Sequence, residues 1–200
     1  MIQNRFYDTH DMQHAELRPI ATETILALTA TLPQRAASWT YALERTSLDG
    51  IQPMCTSVTR RRFERAQQLL ISYERSGAEP FWPVELHYKD CIQTVFPPVV
   101  LRISSLGHAV VLDGTHRVYA AMHRAATTIH ALVITTEFAE LPAEIVSWSD
   151  VRLVERNERM VEKFVNLRRD LMGTPLTVTL NGEWLWRPLE PLHEEHSDEC

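Results

Sequence analysis

The chain has 200 residues, of which 44% are hydrophobic and 23% are charged, and its formal net charge is −6. These values fit one domain with an adequate apolar core and exclude an intrinsically disordered chain. The acidic balance argues against a general affinity for nucleic acid, which needs a clustered basic surface.

No run of about 18 apolar residues is present, so we expect no association with membranes. The N-terminal residues 1–5 also lack the apolar core of a signal peptide. Cys55, Cys91 and Cys200 are widely spaced and odd in number, which suits a reducing compartment better than a disulfide framework. A cytoplasmic location follows as an expectation, and the oligomeric state stays open.

The chain opens with a polar segment, residues 1–15, which we expect to be a flexible arm. A single domain over residues 16–190 follows, and its first part, about residues 24–90, is expected to be a helical elaboration. The pattern of apolar residues and turns predicts helices over residues 24–31, 34–46 and 58–75.

The helix predicted over 58–75 begins with the basic run Arg60-Arg61-Arg62, and Arg65 follows on the next turn. Positive charge at a helix N-terminus opposes the helix dipole, at a cost of a few tenths of a kcal/mol. A bound anion would offset this cost. Alternatively, the run is a solvated face that pairs with nearby glutamates.

Beyond this helix, Phe81 and Trp82 stand between two prolines, where they either form a pocket wall or pack a loop onto the core. The following apolar runs predict strands over residues 98–103, 109–112 and 128–134. A helix is expected to start near Thr115, between the second and third of these strands.

The C-terminal part is predicted to hold two helices, over residues 141–148 and 151–171, without a clear helix-turn-helix pattern. The Asn181-Gly182 pair between apolar runs fits a type I′ turn and predicts a β-hairpin. Residues 191–200 read as an acidic, disordered tail.

The turn between the predicted strand at 109–112 and the next helix has the composition of an anion site. Its sequence is Asp113-Gly114-Thr115-His116-Arg117. We expect the backbone N–H groups of Thr115, His116 and Arg117 to point from the helix N-terminus toward a phosphate. Arg117 would add a planar fork of donors, and His116 a further donor when protonated. Asp113 would hold Mg²⁺ or orient an attacking hydroxyl.

This motif, with its flanking strands, resembles the ParB/sulfiredoxin superfamily over about residues 96–136, with an echo at Leu17-Arg18-Pro19. The resemblance implies an α+β fold with a small mixed sheet and flanking helices, to which this chain adds the helical insertion and the C-terminal hairpin. It also implies nucleotide binding at the turn. Thr115 stands where sulfiredoxins carry cysteine, and Asp113 and His116 are retained, so the motif is closest to that of the free-serine kinases.

This branch of the superfamily implies an ATP- or ADP-dependent kinase that uses Mg²⁺ and phosphorylates a hydroxyl of a small metabolite, such as free serine or threonine. The implied catalytic residues are Asp113, His116 and Glu23, with Glu23 as the base and Glu16 as its rival. Gly114, Thr115, His116 and Arg117 would bind the nucleotide phosphates, and Asp113 the metal. The alternatives are a CTP-binding or DNA-associated regulatory module without catalysis, and a scaffold that keeps the turn only as structure.

Overall fold

The computed structural model describes residues 15–21, 23–24, 40–88, 91–168, 171, 179–180 and 183–184. The first elements in chain order are β1 (Glu16–Pro19), β2 (Thr40–Ser47), β3 (Ile51–Gln52), β4 (Ser57–Thr59), α1 (Arg60–Ser76), β5 (Val84–Tyr88) and β6 (Cys91–Val95). They are followed by β7 (Val99–Ile103), β8 (Ala109–Asp113), α2 (Thr115–His123), β9 (Thr128–Thr136), β10 (Arg152–Val154), α3 (Met160–Lys163), β11 (Thr179–Leu180) and β12 (Glu183–Trp184).

The central sheet has the strand order β2-β9-β7-β8-β3. Its β7/β9 and β3/β8 pairs are parallel and its β2/β9 and β7/β8 pairs are antiparallel, so the sheet is mixed, as expected. The strands predicted around the turn are confirmed as β7, β8 and β9, and the helix that starts at Thr115 is confirmed as α2. The predicted α+β class is therefore correct.

The main core lies between one face of this sheet and the helices α1 and α2. Val100, Val111, Ile129 and Val133 of the sheet belong to one buried cluster with α1 and α2 side chains. The opposite face is covered by the chain after β9, where Ala143 packs with Met54 and Val110. Each strand buries alternate side chains on the two faces, as a sheet covered on both sides requires.

Three smaller sheets complete the described part of the chain. They are antiparallel β1-β5-β6, parallel β4-β10 and the antiparallel pair β11-β12. The last pair confirms the predicted hairpin strands, while the Asn181-Gly182 turn lies outside the described residues. None of the helices in the described ranges is long and apolar enough to cross a membrane.

The helical elaboration predicted over residues 24–90 is wrong for most of its described part. Only α1, predicted over 58–75, is a long helix there, and residues 40–46 of the predicted helix 34–46 belong to β2. The β2 strand pairs along its whole length with β9, from Thr40↔Thr135 to Ser47↔Thr128, and this long-range pairing overrides the local helix propensity. Most of helix 24–31 lies outside the described residues, as do the arm up to residue 14 and the tail at 191–200.

The helix predicted over 141–148 is wrong, and the one predicted over 151–171 is reduced to the short helix α3 (Met160–Lys163) and is wrong for residues 151–159. Residues 141–147 are irregular, and residues 152–154 form β10. The backbone N–H groups of this stretch donate to distant segments instead of the preceding turn: Val146 to Pro53 O at 2.9 Å and Arg152 to Thr56 O at 2.9 Å. The segment therefore works as an extended cover over the sheet.

Candidate anion-binding site

The turn between β8 and α2 requires glycine at position 114 for two separate reasons. Gly114 has φ +85° and ψ +20°, in the left-handed region that other residues adopt only at a cost. A Cβ at this position would also lie 2.7 Å from Arg117 Nη2 and 3.0 Å from Pro98 Cα. The turn is thus fixed by conformation and by close packing.

Arg117 is held inside the turn instead of being extended toward solvent. Its Nη2 donates to Asp113 Oδ2 at 3.1 Å, and its Nη1 donates to the carbonyl oxygen of Phe96. Only 20% of the side chain is exposed, compared with 53% for Asp113. The Arg117 guanidinium, expected from the sequence to donate to a phosphate, therefore donates to acceptors of the protein itself, at the end of β8 and in the loop after β6.

The first turn of α2 offers fewer free amides than the sequence suggested. The Arg117 N–H donates to Gly114 O at 2.8 Å, and the Val118 N–H donates to the same oxygen at 3.0 Å. The amides left without an intrahelical acceptor are those of Thr115 and His116, at the first two helical positions. Both residues are partly buried, and both line the cavity that is described below.

His116 is neutral and serves as an acceptor. Its Nε2 lies 3.1 Å from the backbone N of Thr59, which donates to it, and 3.3 Å from Thr59 Oγ1. Burial lowers the pKa of this imidazole to about 3, with smaller contributions from the nearby charges of Lys163, Arg62 and Arg117. The expectation that His116 binds phosphate as a protonated donor is therefore wrong.

A cavity of about 410 Å³ opens in front of this turn, and it gathers residues from several segments of the chain. Asp113, Gly114, Thr115, His116 and Arg117 line it. Arg62 and Arg65 of α1 and Lys163 of α3 line it as well. Arg62 belongs to the basic run and Arg65 follows it on the next turn, whereas Arg60 of the run pairs with Glu155 on the surface, so the run is divided between the two interpretations. Lys163, from a segment predicted as a charged helix, was missed.

The rest of the lining is mostly apolar, with Gln93 and Thr94 as its polar members. It includes Met54, Leu69, Leu86, Val95 and Phe164. Of the two proline-flanked aromatics, Phe81 is fully buried and Trp82 packs against the core, so this loop is a core element. Within residues 78–86, Leu86 is the residue that lines the cavity. The site therefore combines a cationic end with an apolar surface, which is typical of small-molecule pockets.

The charges near the cavity separate into two groups. Several surface arginines each pair with a glutamate: Arg60 with Glu155, Arg152 with Glu158, and Arg159 with Glu162. In contrast, Arg62 and Lys163 have no carboxylate within ion-pair distance in the part of the chain that the structure describes. The carboxylate that lines the cavity, Asp113, is already paired with Arg117. The cavity thus carries uncompensated positive charge.

Glu23 and Glu16, the two predicted candidates for a general base, do not line the cavity. Glu23 is exposed, and Glu16 lies on β1, where its carboxylate accepts from Arg18 at 3.1 Å. That hydrogen bond, with the charge of Arg18, lowers the pKa of Glu16. Within the described ranges no three His, Cys, Asp or Glu side chains are grouped so that they could hold a metal ion.

Comparison with known proteins adds one distant similarity in structure. No protein-family model matches the chain, and no curated protein matches it. A conserved hypothetical protein from Pyrococcus furiosus is similar to half of the chain with 15% sequence identity and a TM-score of 0.30. The matched region spans 33% of the length of that protein.

Proposed function

We propose that the cavity binds the phosphates of a nucleotide, and that the chain is a nucleotide-dependent phosphotransferase acting on a hydroxyl of a small metabolite, such as free serine or threonine. The observation that supports this proposal is that one cavity is lined by Arg62 and Lys163, which have no carboxylate within ion-pair distance among the described residues, and by Thr115 and His116, whose amides have no intrahelical acceptor. A volume of about 410 Å³ is in the range of small-molecule sites.

The nucleotide would be ATP or ADP, with its phosphates at the Thr115 and His116 amides and its apolar part against the wall that includes Leu69 and Leu86. Mg²⁺ commonly uses one or two carboxylates together with substrate phosphates. Asp113 supplies one carboxylate at the cavity, which fits an ion that arrives with the nucleotide but not a metal cage built by the protein. Such an ion would neutralise phosphate charge, and Asp113 would have to leave Arg117 to reach it.

A second candidate function is nucleotide binding without catalysis, as in a CTP-binding or DNA-associated regulatory module. The position of the expected base favours this alternative. Neither Glu23 nor Glu16 reaches the cavity, and Asp113 is neutralised by Arg117. Phosphoryl transfer needs a group that orients or deprotonates the acceptor hydroxyl, and binding alone does not.

The test begins with calorimetric titrations of ATP, ADP and CTP. The wild type, Arg62→Gln and the control Arg61→Gln are compared, since Arg61 is an exposed neighbour that does not line the cavity. We expect Arg62→Gln to weaken nucleotide binding about tenfold, in the range of a lost charge-assisted hydrogen bond, and Arg61→Gln to change it less than twofold.

Turnover is then measured with Mg²⁺ and a panel of hydroxyl-bearing amino acids, with phosphorylated product as the readout. Product formation supports the phosphotransferase, and binding without product supports the regulatory module. If the wild type binds none of the three nucleotides, both candidates are wrong.

A further inference from the structure

The hydrogen bond that His116 Nε2 accepts from the Thr59 backbone N–H determines which ring nitrogen carries the proton. A backbone N–H is a donor only, so the Nε2 that lies 3.1 Å from the Thr59 nitrogen must offer a lone pair. In a neutral imidazole the proton then resides on Nδ1. A protonated ring would place a second donor against the Thr59 N–H, and the bond would be lost.

This bond joins the N-termini of two helices. Thr59 is the residue before α1, and its own side chain makes no capping hydrogen bond, whereas His116 lies in the first turn of α2. The ring therefore connects the start of α1 to residues 113–117, which are called the anion-binding turn below. Arg62 and Arg65 follow on α1 at a spacing of three residues, about 4.5 Å along the helix axis, and both line the cavity.

The surroundings of the ring keep this nitrogen unprotonated at neutral pH. The imidazole is largely withdrawn from water, and three cations act on it from separate elements: Lys163 of α3, Arg62 of α1 and Arg117 of α2. Burial, as the largest cause, and these three charges lower the pKa of His116 to about 3. The acceptor role therefore holds throughout the physiological range.

We propose that His116 is a positioning residue, whose Nε2 accepts the Thr59 N–H and thereby holds Arg62 and Arg65 of α1 against the anion-binding turn. The proposal rests on the proposed function of the cavity, because it assigns those arginines to the bound anion. It gives the His116 side chain a role that acts through another helix, separate from the contact of the His116 backbone amide with phosphate.

Two substitutions separate this role from direct phosphate binding. Glutamine can accept a hydrogen bond through Oε1, whereas lysine is a cation with donors only. We expect His116→Gln to keep the affinity for pyrophosphate within about threefold of wild type, and His116→Lys to lose at least tenfold. Retained affinity in His116→Lys together with a tenfold loss in His116→Gln would overturn the proposal. Thermal unfolding of both variants checks that each one folds.

A double-mutant cycle tests the connection to α1. In a His116→Ala background, Arg62→Gln should weaken pyrophosphate binding by less than threefold, compared with about tenfold in the wild type, since Arg62 is then no longer held in place. Equal losses in the two backgrounds would contradict positioning. Arg61→Gln serves as the matched charge control in both.

An NMR measurement on the ligand-free protein tests the proposal. The ¹⁵N shifts of the His116 ring should show an unprotonated Nε2 and a protonated Nδ1 from pH 5 to pH 8. A ring that carries its proton on Nε2, or that titrates near pH 6.5, would overturn the positioning role even if pyrophosphate binds. Absence of pyrophosphate binding with the expected ring shifts would instead overturn the proposed function and leave the connection between the helices standing.

Discussion

Substitution of Gly114 by alanine should both lower the stability of the protein and distort the turn between β8 and α2. Alanine in the left-handed region costs about 1–2 kcal/mol. The added Cβ would also meet Arg117 Nη2 at 2.7 Å and Pro98 Cα at 3.0 Å. The guanidinium can move only by giving up Asp113 or the Phe96 carbonyl, a further loss of about 1–2 kcal/mol. We therefore expect a total loss of about 2–4 kcal/mol in urea unfolding.

Gly77→Ala is the matched control for this substitution. Gly77 ends α1 with φ +68°, and nothing lies within 4 Å of a Cβ built on it. The free energy of unfolding of this variant should fall only by the conformational cost of alanine in the left-handed region, about 1–2 kcal/mol. Its affinity for pyrophosphate should equal that of the wild type. Equal losses of stability in the two variants would refute the argument that Gly114 is also required by close packing.

Three further predictions concern contacts outside the turn and the titration of the site. Tyr73→Phe removes the hydroxyl that donates to the Trp82 carbonyl oxygen and should cost about 1 kcal/mol in urea unfolding; unchanged stability would show that this buried bond is dispensable. Arg124 and Glu74 join α2 to α1 through contacts of 2.7–3.1 Å on a partly exposed surface, so a double-mutant cycle should give a coupling of only about 0.5 kcal/mol, and a value above about 2 kcal/mol would contradict its surface character. The pKa of His116 is lowered from the ordinary value of 6.5 to about 3 in the folded chain. Between these two pH values the unfolded chain therefore binds one more proton than the folded chain at this side chain. The contribution of His116 to stability is lost as the pH falls from about 6.5 toward 3. His116→Gln should reduce the acid-induced loss of stability over this interval, and identical pH profiles of the two proteins would argue against a lowered pKa.

The sequence was sufficient for the part of the fold that depends on local patterns. The strand that ends at Asp113, the helix that starts at Thr115 and the flanking strands were all predicted, because apolar runs broken by a glycine determine them within a few residues. The same local signals selected the turn as a candidate site, and its residues line the cavity. They did not show that Arg117 would turn inward, since its partner Phe96 is 21 residues away.

The remaining elements depend on contacts between distant segments. Residues 40–46 contain good helix formers, yet they form β2 because β9 offers a complete ladder of partners. The alternating charges after residue 151 suggested a solvated helix, whereas Arg152 and Glu158 pair across an irregular segment. The cavity also combines α1, α2 and α3, and no local pattern places Lys163 beside His116.

The distribution of charge argues for a small anionic ligand over an extended one. The chain as a whole carries −6, and the surface arginines Arg60, Arg152 and Arg159 are each neutralised by a glutamate. Such pairing lowers the positive charge that these three side chains offer to a nucleic-acid backbone. Two cations that line a cavity of about 410 Å³, Arg62 and Lys163, have no carboxylate within ion-pair distance among the described residues. A small phosphate-bearing ligand fits a cavity of that size, whereas a nucleic-acid duplex does not.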